Sequence, residues 1–409
     1  MTPAPPAPDA AGPLAGIVVA DFSRILAGPL ATQTLADLGA EVIKIERPGA
    51  GDDTRTWGPP WAADGTATYF QSVNRNKRSL ALDLKNPDDC ELARRLVRRA
   101  DVVIDNFIPG TLDRAGLSDD EIHALNPRAV IGRISGFGSA GGRERPGYDF
   151  VVQALGGLMH ITGARDGEAM KVGVALVDIL SAKDLTIGVL AALRRRETTG
   201  TGTLVEVNLL SSLQGALANQ IQAVIGAGAE PTRIGNTHPS ICPYETLRCG
   251  EGELAVAIGN DAQFSRFCGE LGVAELANDE RFATNPARVA NRDALRPLLE
   301  EALQSASALD WEKRLTALNL AVGHVATIAE GITLAQDLGI DPVVALHRDG
   351  VDSNGVRHPV RYTPEFDTPA LGPPALDADG EQLRAQLEAD SPTTTCPTPD
   401  SPTPPATAS

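Results

Sequence analysis

Asp178 stands inside an apolar run, Val172-Gly173-Val174-Ala175-Leu176-Val177-Asp178-Ile179-Leu180. A carboxylate there needs donors, a positive charge or a retained proton, because burying it bare costs on the order of several kcal/mol or more. Two chemistries suit it. Asp is a preferred N-cap, and Ile179, Leu185, Val189 and Leu193 follow with the character of a helix face, so Asp178 can open a helix as its cap. A carboxylate at a helix start that faces a cleft can also act as a nucleophile. Local sequence leaves both readings open.

Positive charge gathers elsewhere. Lys44, Arg47, Arg55, Arg75, Lys77, Arg78 and Lys85 crowd one stretch of a chain whose net charge is -17. Such a run is either a solvated face or the seat of a phosphate-bearing ligand. A third motif is a decoy: Gly136-Phe137-Gly138-Ser139-Ala140-Gly141 fits the dinucleotide pattern and follows a strand, but Gly142, Pro146 and Gly147 come at once. Without a helix opening at those glycines no amides are presented to a pyrophosphate. There is no P-loop, no H-E-x-x-H and no G-x-S-x-G, and the six histidines are dispersed, so no metal site is expected.

The elements that must hold these residues alternate. Strand patterns at Ile17–Asp21, Val42–Ile45, Leu80–Leu84, Val102–Ile104, Val130–Ile134 and Thr203–Val207 interleave with helical patterns at Pro29–Leu38, Asp88–Arg99 and Asp119–Leu125. Near-continuous apolar strands between helices predict a parallel sheet with both faces covered, an α/β, Rossmann-like large domain. One long helix is expected over Asn208–Ile225 before Gly226-Ala227-Gly228-Ala229-Glu230-Pro231 breaks the pattern. A smaller α+β domain follows, with a strand at Leu254–Ile258 and helices near Ala262–Leu271, Arg292–Ser305 and Trp311–Leu318. The β-like Leu320–Ala326 and Val343–His347 suggest that the chain returns to the large domain. The organisation reads as a disordered tail over 1–13, a large domain over 14–225, linker and small domain over 226–319, the return over 320–389, and a Pro/Thr/Ser tail over 390–409.

Composition bounds the function. With 409 residues, 42% of them hydrophobic, the chain can bury a large core. Its acidity weighs against nucleic acid or an anionic membrane as partner. No apolar stretch reaches the roughly 20 residues of a membrane span, and neither a signal nor a transit pattern opens the chain. Five cysteines without a Cys-x-x-Cys pair suit reduced thiols, so a cytoplasmic enzyme is expected.

Several separated motifs, in order, resemble the class III CoA-transferases, the family of formyl-CoA transferase and carnitine CoA-transferase. They are Asp21-Phe22-Ser23-Arg24 with Ala27-Gly28-Pro29, Val42-Ile43-Lys44-Ile45-Glu46-Arg47, Asn76-Lys77-Arg78-Ser79, Asp105-Asn106-Phe107, Gly110-Thr111-Leu112-Asp113-Arg114, Leu125-Asn126-Pro127, Gly147-Tyr148-Asp149-Phe150 and the Asp178 segment. The resemblance runs from about Leu14 to Asp377. It implies that Asp178 is the aspartate that becomes acylated, with Asp149 and Tyr148 in support. It also implies that Ala27, Arg47, Leu82, Lys85, Asn106, Phe107 and Arg114 contact coenzyme A, and that the basic run serves its phosphates. No permanently bound cofactor is implied; the CoA thioester is a substrate, and a small carboxylic acid is the other. An interlocked homodimer is implied as well. The stretch through Gly163 and Gly235-Asn236-Thr237-His238-Pro239-Ser240 is similar to the branch using succinyl-CoA and dicarboxylates such as glutarate or itaconate, with Arg24 and His238 as candidates for the distal carboxylate. The family also contains 2-methylacyl-CoA racemases, which carry a His where this chain has Tyr148, and a phenol is a poor base for an α-proton at neutral pH. A catalytically silent CoA-binding protein, with Asp178 as a mere cap, is the reading from another class.

Overall fold

The structure, a computed structural model, describes residues 12–389. Most of both expected tails therefore lies outside the described residues. The first half builds a six-stranded, all-parallel sheet from β1 (Val18–Asp21), β2 (Glu41–Glu46), β3 (Lys77–Ala81), β4 (Val102–Asp105), β5 (Val130–Ser135) and β6 (Leu204–Asn208), in the order β3-β2-β1-β4-β5-β6. Neighbouring side chains on these strands point to opposite faces. Val19, Val42, Val102 and Val130 enter one core, while Ala20, Ile43, Val103 and Ile131 enter the other.

Helices cover both faces. The intervening helices are α1 (Ala27–Asp37), α2 (Thr68–Ser72), α3 (Pro87–Arg99), α4 (Asp119–Leu125), α5 (Asp149–Leu155), α6 (Leu158–Ile161), α7 (Leu176–Thr199), α8 (Leu209–Ala216) and α9 (Ala218–Ala227). Residues of α1, α5, α7 and α8 close the first core, and α3 and α4 the second. The helix expected over Asn208–Ile225 is in fact two, α8 and α9, parted where Ala218 takes φ +27°. Strand β3 also starts three residues before its expected position, because Asn76, at φ +63°, turns the chain straight into pairing between Lys77 and Val42.

The second unit is an antiparallel sheet of β7 (Tyr244–Arg248), β8 (Glu253–Ala257) and β9 (Ala321–His324). Packed with it are α10 (Asp261–Leu271), α11 (Asn285–Ala290), α12 (Arg292–Leu303) and α13 (Ala308–Thr316) around the buried Trp311. The segment Leu320–Ala326, expected in the return, thus belongs to this sheet: β9 pairs Val322 with Val256. After α14 (Ile328–Asp337) and the hairpin β10 (Val343–Arg348) and β11 (Val351–Val356), the chain does return. Asn76 and Leu371 exchange hydrogen bonds, Asp377 and Asp379 accept the amides of Ala81 and Ser79, and α15 (Gly380–Ala389) sends Leu383 and Leu387 into the second core.

Candidate active site

Asp178 is not a cap. Helix α7 begins at Leu176, its N-cap Ala175 offers no side-chain acceptor, and Asp178 is the third residue of the first turn. The early amides of a helix have no partner within it, and here the acceptor comes from another helix. Asp149 Oδ1 takes the N–H of Val177 at 2.7 Å and of Asp178 at 3.3 Å. Asp149 is buried at the start of α5, beside the exposed N-cap Tyr148. Capping from outside leaves the Asp178 carboxyl without a hydrogen bond among the described residues. Burial first, and then the Asp149 charge, push it up to about 7. A carboxyl raised that far can stay neutral while buried and still ionise near neutrality, the property a carboxylate nucleophile would need.

Tyr69 was missed by sequence reasoning. Carried on the short α2 and packed edge-on against Trp57 at 5.2 Å, its phenol is pushed up to about 12 by burial and then by the charges of Asp178, Asp149 and Asp52. Those carboxylates stand at the starts of α7 and α5 and in the loop after β2, so Tyr69 lies within reach of all three segments. No sequence signal marked it, because nothing in Ala67-Thr68-Tyr69-Phe70 differs from a core helix turn.

The loop after β1 and the loop after β4 flank the point where strand order reverses, the crevice in which open α/β sheets bind ligands. Asn106 clamps the first loop: its Oδ1 accepts the Arg24 amide at 2.8 Å and its Nδ2 donates to the Arg24 carbonyl at 2.7 Å. The Arg24 guanidinium lies 5.2 Å from the Phe107 ring centre and pairs with Asp53 at 3.0 Å, and Arg47 pairs with the same Asp53 at 2.5 Å. Arg24, Arg47, Asn106 and Phe107 are therefore one cluster, with Ala27 opening α1 beside them. Lys85 and Arg114 are exposed on the loop after β3 and the short turn Leu112–Ala115. The side chains of Ala27 and Leu82 are buried, so only their backbones can meet a ligand. His238 stands apart in the second unit, stacked on Tyr244 at 5.1 Å, its Nδ1 accepting the Ser240 amide and its carbonyl accepting from Arg292.

The basic run is neither a solvated face nor a phosphate cradle as a whole. Lys44 and Lys77 are fully buried and pair with Asp52 and Asp21 at 2.9 and 3.1 Å; Arg75 pairs with the buried Asp37, Arg55 with Glu46, and Arg78 with Glu41. Burial works against the Asp21 charge, but Lys77, Lys44 and the Ser23 and Thr32 hydroxyls outweigh it and hold the carboxyl below its usual range. The network fixes the loop above it. Lys44 donates to the Ser23 carbonyl at 2.9 Å, and Asp52 accepts the amide of Ile25 at 3.2 Å, a residue in the left-handed region at φ +70°. A β-branched residue there is strained by on the order of 1–2 kcal/mol. Gly28 is required at its position, since a Cβ would come within 2.2 Å of Ser23 Cβ. Only Arg47 and Lys85 of the run remain exposed.

Residues 14–380 match the model of a family described as CoA-transferase family III. The chain is similar to the succinate–glutarate CoA-transferase of Agrobacterium fabrum, 41% identical over 398 residues that cover 93% of this chain and 97% of that protein. The succinyl-CoA:glutarate CoA-transferase of Mus musculus is 37% identical over 90% of this chain and 85% of its own. Among solved structures, a CAIB/BAIF family protein from Brucella suis superposes with a TM-score of 0.85 at 42% identity, covering 92% of this chain and 100% of that one.

Proposed function

The chain belongs to CoA-transferase family III, and from that premise we propose that it moves CoA from succinyl-CoA to a short dicarboxylate through an aspartyl-CoA thioester on Asp178. The observation that carries the reading is the Asp178 carboxyl: half-buried, without a hydrogen bond of its own among the described residues, and pushed up to about 7 by burial and then by the charge of Asp149, which caps α7 in its place. The names of the similar proteins support the substrate pair.

In the proposed sequence the ionised Asp178 attacks the donor thioester carbonyl, and the C–S bond breaks to give a mixed anhydride and CoA thiolate. The thiolate attacks the Asp178 acyl carbon, releasing the donor acid and leaving aspartyl-CoA. The acceptor carboxylate then attacks that thioester, expelling CoA thiolate, which returns to the acceptor's acyl carbon and frees Asp178. Each step exchanges acyl groups of similar reactivity, so the reaction needs no energy source beyond the donor thioester. The protein supplies donors to the developing oxyanions and keeps water from the anhydride. In this reading Asp149 and Tyr148 support Asp178, and Ala27, Arg47, Leu82, Lys85, Asn106, Phe107 and Arg114 hold CoA. Arg24 and His238 are the groups proposed for the distal carboxylate, although Arg24 is already engaged by Asp53. The partner in assembly is a second copy of this chain.

Intact-protein mass after incubation with succinyl-CoA tests the reading. An adduct of CoA or acyl mass is expected on the wild type and absent from Asp178→Ala. CoA binding with no adduct on the wild type would favour a silent binder or a racemase.

A further inference from the structure

We propose that Gln153 is a positioning residue for the transfer, clipping the Asp149 carboxylate onto the start of α7, and the chain before α7 onto α5, so that Asp178 meets the thioester in one geometry. The inference rests on the transferase reading above. Gln153 is fully buried on α5, one turn after Asp149. A buried amide is costly unless its polar atoms are satisfied, and both of them are. Its Nε2 donates to Asp149 Oδ2 at 2.6 Å, while its Oε1 accepts the Val172 amide at 2.9 Å.

The two bonds act on the two ends of the same problem. Asp149 Oδ1 holds the first-turn amides of α7, and the Gln153 bond to Oδ2 fixes the orientation of that carboxylate. Val172 lies in the segment that leads into α7, where Lys171, Gly173 and Val174 are exposed. With a glycine and no cap of its own, that segment has few local means to fix where α7 begins. Asp178 and the Tyr69 phenol are the titratable groups close to Asp149 from α7 and α2, with Asp52 beyond Tyr69; α8 turns Leu210 and Leu213 toward the end of α5, and its Ser212 hydroxyl bonds Asp184 of α7. Misplacement of a nucleophile by about 1 Å is enough to cost on the order of 100-fold in rate.

The test follows adduct formation at Asp178 under saturating succinyl-CoA, by intact mass against time and pH, alongside CoA affinity and melting temperature. Gln153→Met removes both bonds; we expect a rate lower by about 10- to 100-fold with CoA affinity unchanged within about twofold. In Gln153→Glu, a protonated carboxyl can still donate to Asp149 and accept from Val172, whereas the carboxylate can only repel Asp149. The ratio of its rate to the wild-type rate should therefore climb as pH falls, at unchanged folded fraction. Wild-type rates at saturation in both variants, with only a lower melting temperature or weaker binding, would make Gln153 merely structural and overturn the inference alone. Absence of an adduct on the wild type would overturn the transferase reading and this inference with it.

Discussion

At the scale of the residue, the proposed chemistry turns on one proton. Asp178 holds it to about 7, so its ionised form, the proposed nucleophile, grows as pH rises. The rate of adduct formation should increase through about pH 7 and level off above it. The same shift has a stability consequence of fixed sign. A carboxyl whose folded value lies above its unfolded one binds more protons in the fold, so stability is lost as pH rises from the ordinary carboxylate range through about 7. Asp178→Asn removes that loss. Its melting temperature should exceed the wild type's more clearly at about pH 8 than at about pH 5, by the equivalent of up to a few kcal/mol, read from denaturation at both pH values. An ionisable residue in an apolar run was enough to single out Asp178. Of the groups around it, Asp149 was implied only by the resemblance and Tyr69 not at all, because both lie far from it in sequence and only the fold brings them near.

At the scale of the element, α7 shows how a helix can be capped at a distance so that its own acidic residue stays free. In Asp149→Asn the side-chain oxygen can still accept the Val177 and Asp178 amides, but the charge beside Asp178 is gone. Burial remains the larger cause of its raised value, so the midpoint of the pH–rate profile should move partway toward acid, measured by the same adduct assay. A midpoint unchanged or moved toward alkali would show that Asp149 acts on Asp178 by some other route. Elements with strong local patterns, such as α3 with its Asn86 cap, Pro87 start and closing Arg98 and Arg99, were readable from sequence to within a residue. The α8–α9 break and the early start of β3 were not: the first turns on Ala218, whose type gives no sign of its positive φ, and the second on Asn76, a type that tolerates that region without requiring it.

At the scale of the whole molecule, two helices are out of place for a lone chain. Neither α9 nor α14 has a buried residue, yet Ile225 is 72% and Ile328 87% exposed. Helices carrying that much unburied apolar surface are expected to pack against something, and a second copy of this chain is the partner proposed. Sedimentation at micromolar concentration should give a dimer near twice 42.8 kDa, and paired charges at Ile225 and Ile328 (Ile225→Glu with Ile328→Glu) should shift it toward monomer. A wild type that sediments as a monomer would leave those faces unexplained.

Sequence by itself determined the alternating strands and helices, the parallel sheet, a separate second unit and the singling out of Asp178 as a candidate, because hydrophobic period and a misplaced charge are local properties of the chain. Tertiary structure alone decided what the charges are for. Seven basic residues that looked alike in sequence separate into buried partners of Asp21, Asp37 and Asp52, a half-buried partner of Glu46, a pair at the sheet edge, and the two exposed groups Arg47 and Lys85. It likewise decided that β9 joins the second sheet and that Asp149, not Asp178, caps α7. Whether an ion is solvated, paired or poised depends on neighbours contributed by distant segments, and no spacing along the chain encodes that.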